Sequence, residues 1–329
     1  MLVRLYKSAA LAQNLILVLA GVLLWFPRFW EVQAAPPPPE YSQQPLFQLC
    51  FGTLQSFPYI NMGIALALLL VAAFFTQQSL NFDRLRISGH NFPILLFVVL
   101  SATPHVALFS PVVLTALMLA TALLFLFRIP ETSQNDHLIF FAACSFGIAA
   151  IFYLPAIFLM LLFLAIPSLG NFPSKKIWVA VLGFLFPVIW TVAGLYLSSN
   201  LLPLMEQWQA HLFNFSLPYP IRDMRALVIL SLLVFIYILI IFRILSKLSE
   251  RTAIIRRRIK ISCYLALLLL LSAVFSYDFY EHLSLLSVPM VALISYYYNE
   301  DAEAKWIDYV LLGCFVALVV SSQFLPLWG

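Results

Sequence analysis

The sequence predicts an all-α fold, a polytopic transmembrane helical bundle of about 11 spans, from the length of its apolar runs. Two further observations agree with this, the composition and the placement of charge. The chain has 329 residues, 63% hydrophobic and 10% charged, with a mean hydropathy of +0.98. Soluble domains average about 45–50% apolar and about 25% charged residues. A chain so poor in charge cannot cover a water-facing surface, so lipid is expected to be its solvent. The whole chain, 1–329, reads as a single transmembrane domain.

The first run, 11–26, follows Arg4 and Lys7. Phe26, Pro27 and Arg28 offer no small-residue cleavage site, so it reads as an uncleaved first span. Further runs long enough to cross about 30 Å of hydrocarbon lie at 59–76, 177–197, 225–243, 261–276 and 306–324. Residues 92–128 form one nearly uncharged stretch. As a single helix it would be about 55 Å long, so a hairpin of two short spans fits better. Pro104 and Pro111 bracket the break expected around His105. Residues 138–167, with Pro155 in the middle, read as a second hairpin, and 284–298 as one short span ending in Tyr296-Tyr297-Tyr298.

Charge orients these spans. With the N-terminus cytoplasmic and the C-terminus outside, all of the 18 basic residues except Arg28, Arg222 and Arg225 fall on the cytoplasmic side. This is the positive-inside rule. Reading only one hairpin as a single span would strand the basic run 251–260 outside. Reading both as single spans moves only Arg128, which leaves about nine spans as the alternative.

Three loops have distinct characters. The outer loop 27–58 carries Pro36 to Pro39, a polyproline II run suited to a stiff cover. The outer loop 198–224 is aromatic, with Trp208, Phe213, Phe215 and Tyr219, and suits the membrane interface. The loop 243–260 is basic, cytoplasmic and expected to be helical, an anchor meeting anionic headgroups.

Candidate site residues all lie outside in this topology. Arg222 and Arg225 stand against the charge rule, and guanidinium geometry suits phosphate or carboxylate binding. The structural alternative is headgroup anchoring with an Arg–Asp pair through Asp223. Asp278, Glu281 and His282 would share one helical face by their spacing and could bind substrate, or belong to a solvated interfacial turn. The scattered His105, His211, His282, His90 and His137 show no metal-ligand spacing, so no metal is expected. Cys50, Cys144, Cys263 and Cys314 form no CxxC, and nucleotide and hydrolase motifs are lacking. Neither a cofactor nor a nucleic-acid partner is expected.

Four segments carry a resemblance. NFPILLFVVLSATPHVALFSPVVLTALMLATALLFLFR, FFAACSFGIAAIFYLPAIFLMLLFLAI, KKIWVAVLGFLFPVIWTVAGLYL and EHLSLLSVPMVALISYYYN span most of residues 90–300. They resemble a family of uncharacterised multi-span inner-membrane proteins of the Bacteroidota, which implies location rather than activity. More distantly, the order of short hairpin, long apolar span and basic loop is similar to polyprenyl-phosphate-dependent glycosyltransferases of the GT-C class. That resemblance implies an acidic residue in the first outer loop, where this chain offers Glu31 and Glu40 as candidate catalytic bases. A GT-C-like reading takes Arg222 and Arg225 as phosphate clamps, and a polyprenyl-phosphate-linked sugar beside the membrane lipids as partner.

Three functional readings follow: a GT-C-like envelope protein, a non-enzymatic subunit or scaffold of an envelope assembly, and a transporter or flippase. The topology is directly testable. Cysteines placed at Ser249 and Gly329 should label from the inside and the outside of intact cells, respectively. Labelling of position 249 from the outside would overturn the orientation.

Overall fold

The computed structural model describes residues 18–19, 21–26, 44–80, 92–101, 109–129, 136–164, 175–206, 224–273, 282, 284–300 and scattered positions between 310 and 319. Among the described residues every regular element is helical and no strand occurs. The helices are α1 (Pro45–Phe51), α2 (Pro58–Leu80), α3 (Phe92–Ser101), α4 (Pro111–Phe127), α5 (Asp136–Phe152), α6 (Lys175–Leu197), α7 (Met224–Ser246), α8 (Ala253–Ser272) and α9 (Ser287–Glu300). Helices α2 and α6, 23 residues each, are long and apolar enough to cross a membrane.

Pro111 and Pro155 each open a new element as their chemistry requires, whereas Pro104 and His105 lie outside the described residues. Helix α4 begins at Pro111 behind a Ser110 N-cap whose hydroxyl accepts from the Val113 amide. Proline suits that first position because its missing N–H would have no helical partner anyway. The chain then reverses at Tyr153, with Pro155 opening a 3-10 turn over Leu154–Met160. The returning leg lies back along α5, where the Phe146 and Phe163 rings meet at 5.5 Å. Part of the segment 27–58 is also helical: α1 packs Phe47 and Phe51 on Phe109, at 4.9 and 5.2 Å. The Pro36 to Pro39 run and Trp208, Phe213, Phe215 and Tyr219 lie outside the described residues.

Helix α9 is the centre of the bundle. Its residues Val288 to Ile294 are apolar around the whole helix, and all of them are buried. A helix apolar all round has no solvent face, so its neighbours must enclose it. Several hydroxyl side chains inside the bundle fold back onto their own helices, as Thr76 does on the Ala72 carbonyl (2.8 Å) and Thr115 on the Pro111 carbonyl (2.8 Å). This satisfies a donor where water is excluded.

The closest helix pair is α5 with α6, which run parallel. Asp136 meets Lys176 at 3.6 Å at one end, and Ile151 packs with Leu195 at the other. Gly147 and Gly183 permit this approach. A Cβ on Gly147 would strike the Phe184 carbonyl and the Pro187 ring, and one on Gly183 would lie 2.6 Å from the Phe140 carbonyl. Small residues that let backbones approach are the usual means of packing helices without a hydrophobic drive between them.

The helix ends collect at two poles. The ends of α4, α7 and α9 meet the start of α8, because Arg258 reaches Phe127 and Tyr296 while Arg243 reaches Tyr297. The starts of α5 and α6 share this end through Asp136–Lys176 and the Phe125–Phe141 ring contact at 5.6 Å. It holds Arg128, Lys175, Lys176, Arg243, Lys247, Arg251, Arg256, Arg257, Arg258 and Lys260, and we call it the basic pole. Arg225 opens α7 at the opposite pole.

Two substitutions test the α5–α6 contact. Gly147→Ala and Gly183→Ala should each destabilise by about 1–3 kcal/mol through overpacking. Gly194→Ala, where the space is open, should be neutral or stabilise by up to about 1 kcal/mol through the helix backbone. Thermal unfolding in detergent reads the difference, and equal midpoints for all three would refute the close packing.

Candidate functional site

At the pole opposite the basic one, three elements converge on His282. The residue sits in the connection between α8 and α9 and has no exposed surface. Its Nε2 lies 2.8 Å from the Leu269 carbonyl, near the C-terminal end of α8, and 3.2 Å from the Ser272 hydroxyl. Its Nδ1 lies 2.6 Å from the Tyr153 hydroxyl, at the point where the chain reverses after α5.

The partners assign the protons. A backbone carbonyl only accepts, so Nε2 carries the hydrogen and donates it to Leu269. Nδ1 is then an acceptor, and the Tyr153 hydroxyl donates to it. Ser272 donates to the same Leu269 carbonyl at 3.0 Å. Burial favours the neutral imidazole, and both of its nitrogens are engaged by the protein. Burial drives its pKa down to about 4, while the Leu269 hydrogen bond opposes that shift.

The surroundings are aromatic. Phe51 bridges Phe109 (5.2 Å) and Phe152 (5.9 Å), beside Tyr153. Asn61, buried at the start of α2, accepts a hydrogen bond from the Phe109 amide. The arrangement ties α1, α2, α4, α5, α8 and the entry to α9 into one closed pole.

The sequence-predicted site residues stand as follows. His282 is not in a solvated turn; it is interior, because Tyr153 and the end of α8 supply the partners that water would otherwise provide. Arg225 lies in the first turn of α7 at the same pole, with its backbone described and its side chain not. Glu31, Glu40, Arg222, Asp278 and Glu281 lie outside the described residues. Among the described residues, no three His, Cys, Asp or Glu side chains gather as a metal site.

The basic pole also differs from expectation. The segment 243–260 is not all outward anchor: Arg257 and Arg258 are buried and serve the end of α4. Arg258 donates to the Phe127 carbonyl at 2.6 Å and lies 5.4 Å over the Phe127 ring, and Arg257 donates to the Ile129 carbonyl. These carbonyls follow the last helical donors of α4, so a guanidinium replaces the missing N–H and faces the negative end of the helix dipole. Sequence reasoning missed these roles and that of Tyr153, since the partners are 129 and 131 residues apart in the chain.

Comparison of the chain with protein-family models, with curated proteins and with solved structures finds no match.

Two measurements check the His282 cluster. Tyr153→Phe leaves a buried Nδ1 acceptor without its donor and should destabilise by about 1–3 kcal/mol. An unchanged unfolding midpoint would refute the geometry. The histidine pKa is depressed from 6.5 to about 4 in the fold, so its contribution is complete above the unfolded value and is lost as pH falls through the folded one. The midpoint should therefore fall between these two pH values, and His282→Gln should flatten that fall.

Proposed function

We propose that this chain is a multi-pass protein of a bacterial inner membrane, with its N-terminus cytoplasmic, that binds a phosphate-bearing, lipid-linked sugar at the outer face. The membrane part is supported by the outer surface of α6, where Trp178, Tyr196 and Leu197 are 70%, 72% and 84% exposed. Apolar patches of that extent are rare on proteins that face water. Lipid accounts for them.

The observation that carries the orientation and the ligand class is the division of charge between the poles. Basic side chains collect at one end, as the cytoplasmic side of a membrane protein requires. Arg225 lies in the first turn of α7 at the other, three residues after Arg222 in the chain. Guanidinium groups held on the outer side against the charge rule suit a phosphate. In the GT-C-like reading, Glu31 or Glu40 then supplies the base that activates the acceptor, and Asp278 and Glu281 contact the sugar.

A second reading is an envelope subunit without catalysis. It is favoured by the inward use of Tyr153, Ser272 and His282, whose polar atoms serve packing.

Arg222→Ala with Arg225→Ala should weaken lipid-phosphate binding by roughly 2–5 kcal/mol. Glu31→Gln or Glu40→Gln should spare binding and remove turnover, because the amide keeps the shape and loses the base. The readout is the envelope glycan and glycolipid profile of a deletion strain carrying each variant. An unchanged profile on deletion, or full complementation by all four substitutions, would reject the enzyme and leave the subunit.

A further inference from the structure

Helix α8 divides its basic residues by direction. Arg257 and Arg258 turn inward, whereas Arg256 is exposed and Lys260 half-buried on the opposite side. Arg256 and Lys260 are four residues apart, so their side chains are neighbours on one face, about 6 Å apart along the axis. The same face continues through Tyr264, Leu267 and Leu271, which are all exposed. The residues between them, Ile259, Ile261, Ser262, Leu265, Ala266, Leu268 and Leu269, are buried.

The stripe is thus ordered along the axis: two cations, then a tyrosine, then two leucines. From Arg256 to Leu271 it is about 22 Å long. That length matches one leaflet, whose hydrocarbon half is about 15 Å thick below its headgroups. The order matches a phospholipid read from phosphate to acyl chain. Tyrosine at the boundary suits the interface, where an apolar ring and a polar tip are both satisfied.

We propose that this face of α8 is a binding site for one anionic phospholipid of the cytoplasmic leaflet. Its phosphate lies between Arg256 and Lys260, and an acyl chain lies along Tyr264, Leu267 and Leu271. The site rests on the membrane reading above but is independent of the outer-face ligand. Its cations are separated by helix direction from those that hold the basic pole together, so the lipid can exchange without opening the fold. An anionic headgroup is selected over a zwitterionic one because no described acidic side chain of α8 shares the stripe to pair with a choline or ethanolamine.

The full chain reconstituted in phosphatidylcholine nanodiscs, with and without phosphatidylglycerol, provides the test, read as lipid retained on the protein by native mass spectrometry. Wild type should retain phosphatidylglycerol preferentially. The double variant Arg256→Ser, Lys260→Ser should lose at least about tenfold in that retention, since each cation near an anionic surface contributes appreciably. The charge-preserving variant Arg256→Lys, Lys260→Arg should keep it, which separates lost charge from failed folding. Equal retention of both lipids by wild type, or undiminished retention by the double variant, would overturn the site. Competition by millimolar inorganic phosphate would overturn it too, assigning the cations to a soluble anion. Failure to enter phosphatidylcholine discs at all would reject the membrane reading instead.

Discussion

The guanidinium groups of Arg257 and Arg258 close the last turn of α4, and the basic pole is organised around them. A helix that ends in an apolar interior leaves carbonyls without donors, and each costs several kcal/mol if water cannot reach it. Arg258 meets that requirement at Phe127 and reaches Tyr296 at 3.5 Å as well. One side chain therefore joins α8 to the ends of α4 and α9. Arg243 does the same from α7, donating to Tyr297 at 2.7 Å. Adjacent tyrosines at the end of α9 thus receive arginines from two different helices. Such charged groups are stabilising only as a set, because removing one partner strands the other in a dry interior.

The opposite pole solves the same problem with neutral groups. His282 supplies a donor near the end of α8 and an acceptor to Tyr153, so the α5 reversal and the α8–α9 connection are tied by one ring. Between the poles the constraint is steric. Gly147 and Gly183 bring α5 and α6 together over their backbones, and the outer side of α6 is left to the solvent. The labour is thus divided: the long-range polar contacts sit at the ends, and close packing brings α5 and α6 together between them.

The all-helical class, the start of a helix at Pro111 and the reversal at Pro155 were determined by the sequence itself. These follow from run length and from proline chemistry, which act over a few residues. The asymmetry of basic residues was equally legible, since it needs only their order along the chain. Tertiary structure alone decided which members of the basic run turn inward. Residues 256, 257, 258 and 260 are chemically alike in sequence, and only the docking of α8 against α4 separates Arg257 and Arg258 from Arg256 and Lys260. It also decided the setting of His282, which beside Asp278 and Glu281 reads as part of a polar surface turn. Its proton state depends on a tyrosine 129 residues away, and no local pattern encodes a contact of that range.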